Sequence, residues 1–509
     1  MKTKMLLAAV AMSTLAAGMS HADQLLIMHL DFNTIQMRKD AVIDCLRNGA
    51  KAGYNAVLWE VEDKIRWESC PSCVHPEAFT KAEFREILAE AARLKLEPIP
   101  LMQTVGHAEY VLRCSEYAGW MEQGDFPACY CVSRPEVRLF LKRLLHEYLE
   151  LFGPSVRRFH LGGDEAIVFG TCPTCRTRDK MELYAEHLDA VSEELVAKGI
   201  RPGVWSDAAL VGCDWERSVD AKPEPGTIRK LSTRYTMWNW DYSFGLVLSE
   251  EERLKARTRL CHTKLLTDLG YEVIVCGASQ SYRDSPFLPF YSRHRDNLAF
   301  CAELARGQKL GGLCVTSWSV HLSPKELQYP LWDFAAKRFL NPGKSVEEDF
   351  ASAVRSRLGE VDLEALCELS TGSLEFPPFD ARSWNYLKLA RPAKAGELKR
   401  RFENGVRVEG EGYKAKLALL ARERAAAVAS ALEKLRSKPH AAALEPFLEG
   451  GELTLRILDA IAAAAEGRSV GPLPIERTEA FYLRFQMPQS ARNAAAIVWS
   501  ILQDAESVR

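Results

Sequence analysis

Two carboxylates stand side by side at Asp164 and Glu165, closing the run Arg157-Arg158-Phe159-His160-Leu161-Gly162-Gly163-Asp164-Glu165. Adjacent acids alone mean little, because 68 acids in 509 positions give about nine such pairs by chance, most of them on solvated faces. The setting of this pair is what distinguishes it. A short run that reads as a β-strand leads into it, and the two preceding glycines allow the backbone to approach a ligand closely. Two nearby carboxylates in a partly dry pocket disfavour double ionisation, so one is pushed toward holding a proton while the other stays charged. That is the division of labour between a general acid and a charged stabiliser.

Other chemistry-bearing residues fall at similar places. Met102-Gln103-Thr104-Val105-Gly106-His107-Ala108-Glu109-Tyr110 follows one strand-like run, and Glu62-Asp63 follows another. Trp205-Ser206-Asp207, Trp238-Asn239-Trp240-Asp241-Tyr242 and Trp318-Ser319 end three more. Aromatic rings with a few acids suit a pyranose, which presents apolar C–H faces and hydroxyls. Any single tryptophan serves equally well as core, so it is their recurrence at strand ends that carries weight.

The elements that must position these residues are legible from periodicity. Strands are predicted over 25–31, 56–61, 97–102, 157–161, 201–205, 234–239, 272–276 and 313–317, separated by amphipathic helical stretches. Ser133-Arg134-Pro135-Glu136 reads as a capping box opening a helix that Gly153-Pro154 stops, and a second helix over 181–197 ends before Gly199. Eight βα units imply an α/β fold, a (β/α)8 TIM barrel over residues 23–341, with chemistry at the carboxyl ends of its strands. From about residue 342 to 509 the sequence is rich in Ala, Leu, Glu, Lys and Arg without strand signals, so an all-helical C-terminal domain is expected.

Residues 1–22 read as a signal peptide: Lys2 and Lys4 precede an apolar run from Met5 to Met19, and Ser20-His21-Ala22 offers a cleavage site. Export to the periplasm or the extracellular space follows. No later stretch is long and apolar enough to span a bilayer. A net charge of -2 provides no field to gather nucleic acid or anionic lipid.

Fourteen cysteines are many for this length. Six cluster as Cys70/Cys73, Cys129/Cys131 and Cys172/Cys175, in predicted loops on the catalytic face. Export favours disulfides. The Cys-Pro-x-Cys spacing at Cys70, Cys73, Cys172 and Cys175 also suits a structural zinc, and free thiols are the third state.

The run His160-Leu161-Gly162-Gly163-Asp164-Glu165 closely resembles the signature of the family 20 glycoside hydrolases, the β-N-acetylhexosaminidases. The likeness extends over about residues 25–340 and is closer to the branch related to hexosaminidase D. It implies that Glu165 protonates the leaving oxygen while Asp164 orients and charge-stabilises the substrate's own 2-acetamido group as that group attacks the anomeric carbon. It further implies that Asp63 bonds His107 and His107 the general acid, with Glu109 in reserve. His160, Trp205, Asp207, Trp238, Trp240, Asp241, Tyr242 and Trp318 would then surround the sugar. The substrate would be a glycan ending in N-acetylglucosamine or N-acetylgalactosamine, cleaved exo with retention and without a required cofactor.

Three departures from the family pattern stand out. No Arg follows the first strand in His29-Leu30-Asp31-Phe32, and Val320 stands where a Glu often follows the last Trp. Asn239 stands where a Tyr is expected, leaving Tyr242 or Tyr235 to substitute. The competing readings are a glycan-binding protein on a decayed hydrolase scaffold and a metal or thiol protein on the same barrel.

Overall fold

The computed structural model describes residues 24–124, 126–214, 222–242, 260, 262–370, 393, 396–437, 439, 441–503 and 505. Among these residues are ten strands: β1 Leu25–Asp31, β2 Ala56–Glu60, β3 Glu97–Leu101, β4 Met121–Gln123, β5 Phe126–Tyr130, β6 Arg158–His160, β7 Arg201–Trp205, β8 Thr236–Trp240, β9 Val273–Gln280 and β10 Gly312–Ser317. Eight of them close a parallel barrel in the order β1-β10-β9-β8-β7-β6-β3-β2, and β4 and β5 form a separate antiparallel hairpin. The predicted strands match the barrel to within a few residues at each end. The hairpin was not foreseen, because three- and five-residue strands are too short to show a period.

Strand alternation divides the side chains into two sets. Outward-facing Leu26, Met28, Val57, Trp59, Val204 and Val275 join the layer shared with the surrounding helices. Inward-facing Leu25, Ile27, Ala56, Leu58, Ile99, Leu101, Ile274, Cys276 and Cys314 fill the barrel itself, together with Trp205 and Trp238. On β1 and β2 the inner face changes chemistry along its length. It starts with Leu25 and Ile27 or Ala56 and Leu58, then becomes His29 and Asp31 or Glu60, with Asp31 paired to Glu60 in register. Polar groups therefore collect at one end, the carboxyl end, of an otherwise apolar barrel.

The helix Pro135–Phe152 begins with Pro135 in its first turn and ends at Gly153, as expected, but its N-cap is Arg134 and makes no side-chain cap bond. The capping box predicted at Ser133 is absent because the Ser133 hydroxyl lies 3.1 Å from Cys175 Sγ instead. Beyond the barrel, the helices Tyr413–Arg436 and Glu445–Ala465 pack along one another. The last segment returns to the barrel. Arg38 N–H donates to Phe485 O and Met487 N–H to Gln36 O, both at 2.8 Å, while Glu77 accepts the backbone N–H groups of Gln489 and Ser490 at 2.8 Å each. No described helix is long and apolar enough to cross a membrane, and the expected signal peptide lies outside the described residues.

Candidate active site

The carboxylates arrive on the loop that leaves β6. Gly162 and Gly163 adopt φ values of +65° and +92°, a region that Cβ-bearing residues rarely enter. A Cβ on Gly162 would sit 2.0 Å from Gln103 Oε1, and one on Gly163 2.3 Å from the Tyr184 hydroxyl. The glycines are thus needed for the turn and for close packing of the protein on itself, rather than for approach to a ligand as expected from sequence. Tyr184, on the helix Lys180–Ala197, donates to Gly163 O at 3.3 Å. His187 of the same helix donates from Nε2 to Thr104 O at 2.9 Å, so one helix supports the loops after β3 and β6 together.

His107 Nε2 lies 3.3 Å from Asp164 Oδ2 and 3.5 Å from Glu165 Oε2. One imidazole therefore touches both carboxylates. The two acids differ in environment: the Asp164 side chain is 7% exposed and that of Glu165 is 45% exposed. Asp164 Oδ1 is buried with no hydrogen-bond partner among the described residues. His107 and Glu165 adopt φ values of +49° and +42°, costly for residues with a side chain and characteristic of sites held in shape by their surroundings. Glu165 is further held by its backbone N–H, which donates to Asp207 Oδ2 at 3.2 Å.

Beneath Asp164 lies a polar layer that sequence reasoning missed. Glu60 receives Gln103 Nε2 at 2.8 Å and faces His29 Nε2 at 3.1 Å. Burial, then the charge of Asp31, raises the Glu60 pKa well above the usual carboxylate range. Burial lowers that of His29 to about 4. Asp31 occupies the end of β1, where its carboxylate accepts Ser319 N–H at 2.7 Å and Asn33 N–H at 2.6 Å. The signal for this layer was available: Asp31 and Glu60 are both inward-facing acids at the carboxyl ends of barrel strands.

Several expected roles are corrected. Asp63 does not reach toward His107, because Lys64 and Arg113 claim its two oxygens. His160 is fully buried: its Nδ1 accepts Gly162 N–H at 3.0 Å and its ring packs 4.4 Å from that of Trp205 and 5.0 Å from that of Trp238. Trp205 and Trp238 are likewise buried in the barrel interior, so these three rings form a floor and none is an accessible platform. Trp240 and Trp318 remain partly exposed at the rim. Tyr242 stacks on Trp240 with ring centroids 5.2 Å apart, and Trp318 lies 6.3 Å from Tyr242. Tyr235 cannot substitute, since its hydroxyl donates to Asp189 at 2.8 Å behind the strand. Asp241 is buried, and its backbone carbonyl accepts Asn297 Nδ2 at 2.7 Å. Glu109 opens the short helix Glu109–Leu112, directly after His107 and Ala108, and Val320 packs with the apolar layer around the barrel.

The cysteines also group differently from expectation. Every described cysteine is a free thiol. Cys73 neighbours both Cys70 and Cys114, while Cys172 and Cys175 meet Cys131 at 3.5 and 3.8 Å. The expected set of Cys70, Cys73, Cys172 and Cys175 is not brought together, because the two pairs sit in loops after different strands, each with its own third thiol.

Comparison with known proteins bears directly on this barrel. Residues 58–287 match glycosyl hydrolase family 20, catalytic domain. Hexosaminidase D from Homo sapiens is 25% identical over 369 residues, covering 70% of this chain and 73% of the human protein. Hexosaminidase D from Bos taurus is 31% identical over 164 residues, 30% of this chain and 47% of that protein. A crystal structure of β-N-acetylhexosaminidase from Bacteroides fragilis aligns with a TM-score of 0.49 at 18% identity, covering 66% of this chain and 69% of that one. The protein is a glycoside hydrolase. Its matched span begins inside β2 and ends beyond β9, so it takes in His107, Asp164 and Glu165 with most of the barrel. Over that span the chain resembles the catalytic domain of glycosyl hydrolase family 20.

Proposed function

We propose that this enzyme is a retaining, exo-acting β-N-acetylhexosaminidase that removes terminal N-acetylglucosamine or N-acetylgalactosamine by substrate-assisted catalysis. The observation that carries the reading is the unequal pair: Asp164 is buried, with one oxygen unpartnered among the described residues, while Glu165 is exposed beside it, and His107 touches both. A buried carboxylate with a free oxygen suits the N–H of a 2-acetamido group, orienting it and stabilising the positive charge that develops as its oxygen attacks the anomeric carbon. An exposed acid beside it suits proton delivery to the departing oxygen. His107 orients the two. The chemistry needs no cofactor, since acid, stabiliser and nucleophile come from two side chains and the substrate.

The test is a panel of N-acetylglucosaminides, N-acetylgalactosaminides and the matched plain glucosides, assayed with wild type and Glu165→Gln. The N-acetylated substrates are expected to be hydrolysed with retained anomeric configuration and the plain glucosides left intact. Glu165→Gln is expected to lower kcat/KM about 10²–10⁴-fold on substrates with poor leaving groups. Equal hydrolysis of plain glucosides overturns the reading.

Export is part of the proposal. Lys2, Lys4 and the apolar run that follows support it, and N-terminal sequencing of the mature protein from a periplasmic or extracellular fraction checks it.

A further inference from the structure

Four side chains from two loops beside the catalytic carboxylates converge on one point. Glu122 comes from the hairpin after β3 and Cys131 from just beyond it, while Cys172 and Cys175 lie on the loop that also carries Asp164 and Glu165. One potential ligand atom from each lies within 4.8 Å of all the others. Cys131 Sγ is 3.5 Å from Cys172 Sγ and 3.8 Å from Cys175 Sγ. A disulfide requires about 2.0 Å. A tetrahedral zinc, with Zn–S bonds of about 2.3 Å, sets its sulfurs about 3.8 Å apart.

Two further observations point to a cation at this place. Glu122 is 4% exposed; its Oε1 accepts Cys172 N–H at 2.9 Å, whereas Oε2 is buried with no partner among the described residues. A buried carboxylate oxygen left in this state is costly unless something positive meets it. The sulfurs, for their part, are dressed as thiolate ligands usually are. Cys175 N–H points to Cys172 Sγ at 3.3 Å, and the Ser133 hydroxyl lies 3.1 Å from Cys175 Sγ. Such surrounding donors orient metal-bound sulfur and moderate its charge.

We infer that Glu122, Cys131, Cys172 and Cys175 form a structural site for a thiophilic divalent cation of the zinc class. Three thiolates and one carboxylate complete a closed tetrahedron with no open position, so the ion holds structure and takes no part in bond cleavage. It ties the hairpin after β3 to the loop bearing Asp164 and Glu165, fixing the distance between the His107 side of the site and its carboxylates. Each cysteine gives up its thiol proton on binding, so occupancy falls as pH drops.

The full chain, purified without chelator, is expected to retain about one zinc per molecule by atomic spectrometry. Cys172→Ser and Glu122→Gln are expected to lower this several-fold, while Cys367→Ser, remote from the cluster, leaves it unchanged. Should the variants fail to fold, cobalt substitution of the wild type reads the same geometry. Intense thiolate-to-metal charge-transfer absorption and the visible bands of a tetrahedral centre are the expected result. A folded wild type that holds no zinc after incubation and dialysis, and shows no such bands with cobalt, overturns the inference. So does a denatured-state thiol titration showing Cys131 and Cys172 joined as a disulfide.

Discussion

Asp207 Oδ2 accepts the backbone N–H of Glu165 at 3.2 Å, joining the end of β7 to the residue that follows the glycine turn after β6. The bond holds a peptide whose φ of +42° would otherwise relax toward a commoner conformation. Asp207 thereby serves as a positioning residue for Glu165. Asp207→Ala is expected to lower kcat about ten- to a hundredfold with little change in KM, as fits the loss of one charge-assisted hydrogen bond. Steady-state kinetics check this, and a rise in KM with kcat intact would make Asp207 a substrate contact instead.

Asp164→Asn separates the stabilising role from proton delivery. The variant keeps its shape but loses the charge that, in the proposed mechanism, faces the acetamido group. It is expected to bind a thiazoline mimic of the cyclised intermediate at least tenfold more weakly, while affinity for the simple sugar product changes much less. Isothermal titration with both ligands makes the comparison, and unchanged thiazoline affinity would remove Asp164 from this role.

The tryptophans fall into two classes with opposite expected phenotypes. Trp205→Ala opens a cavity in the barrel interior and is expected to cost about 3–5 kcal/mol of stability, seen as a lower denaturation midpoint. Trp240→Ala and Trp318→Ala remove partly exposed rim rings and are expected to raise KM with little effect on that midpoint.

Acid sensitivity follows from buried histidines. Burial pushes His187 and His29 down to about 4 from an ordinary value of 6.5. A folded pKa below the unfolded one means the stability each contributes is fully present above pH 6.5 and is lost as pH falls toward 4. Complete titration of one such group costs about 3 kcal/mol. His187→Gln is expected to flatten the fall of Tm between pH 6.5 and 4 compared with wild type. Parallel Tm curves for the two proteins would rule out this contribution.

The barrel and the loop that presents Asp164 and Glu165 were readable because period-two strands, amphipathic helices and a glycine turn leave local marks on the sequence. The side chains beneath the pair were harder to assign. Glu62-Asp63 stand out as adjacent acids, yet β2 ends at Glu60, and the 3-10 turn Glu62–Lys64 that follows carries Asp63 to Lys64 and Arg113. Trp205 and Trp238 ended their strands as expected, but whether a strand-end ring plugs the barrel or lines its mouth depends on how far its neighbours reach across. Gly203 shows why: a Cβ there would lie 2.5 Å from Trp238 Nε1, so its missing side chain is the space that the indole fills. The cysteine grouping was illegible for a similar reason, since it depends on a hairpin too short to leave a periodic signal.

The return of the chain end to the barrel sets a path for mechanical force. Gln36 and Arg38 hold the backbone around Phe485 and Met487, and Glu77 holds the first turn of the last helix. Tension applied near residue 490 is therefore delivered to the loops that follow β1 and β2, close to Asp31 and Glu60, before it is borne by the intervening helices. A pull on this segment would therefore load the seam and the loops at the polar mouth of the barrel, while the apolar half lies away from it.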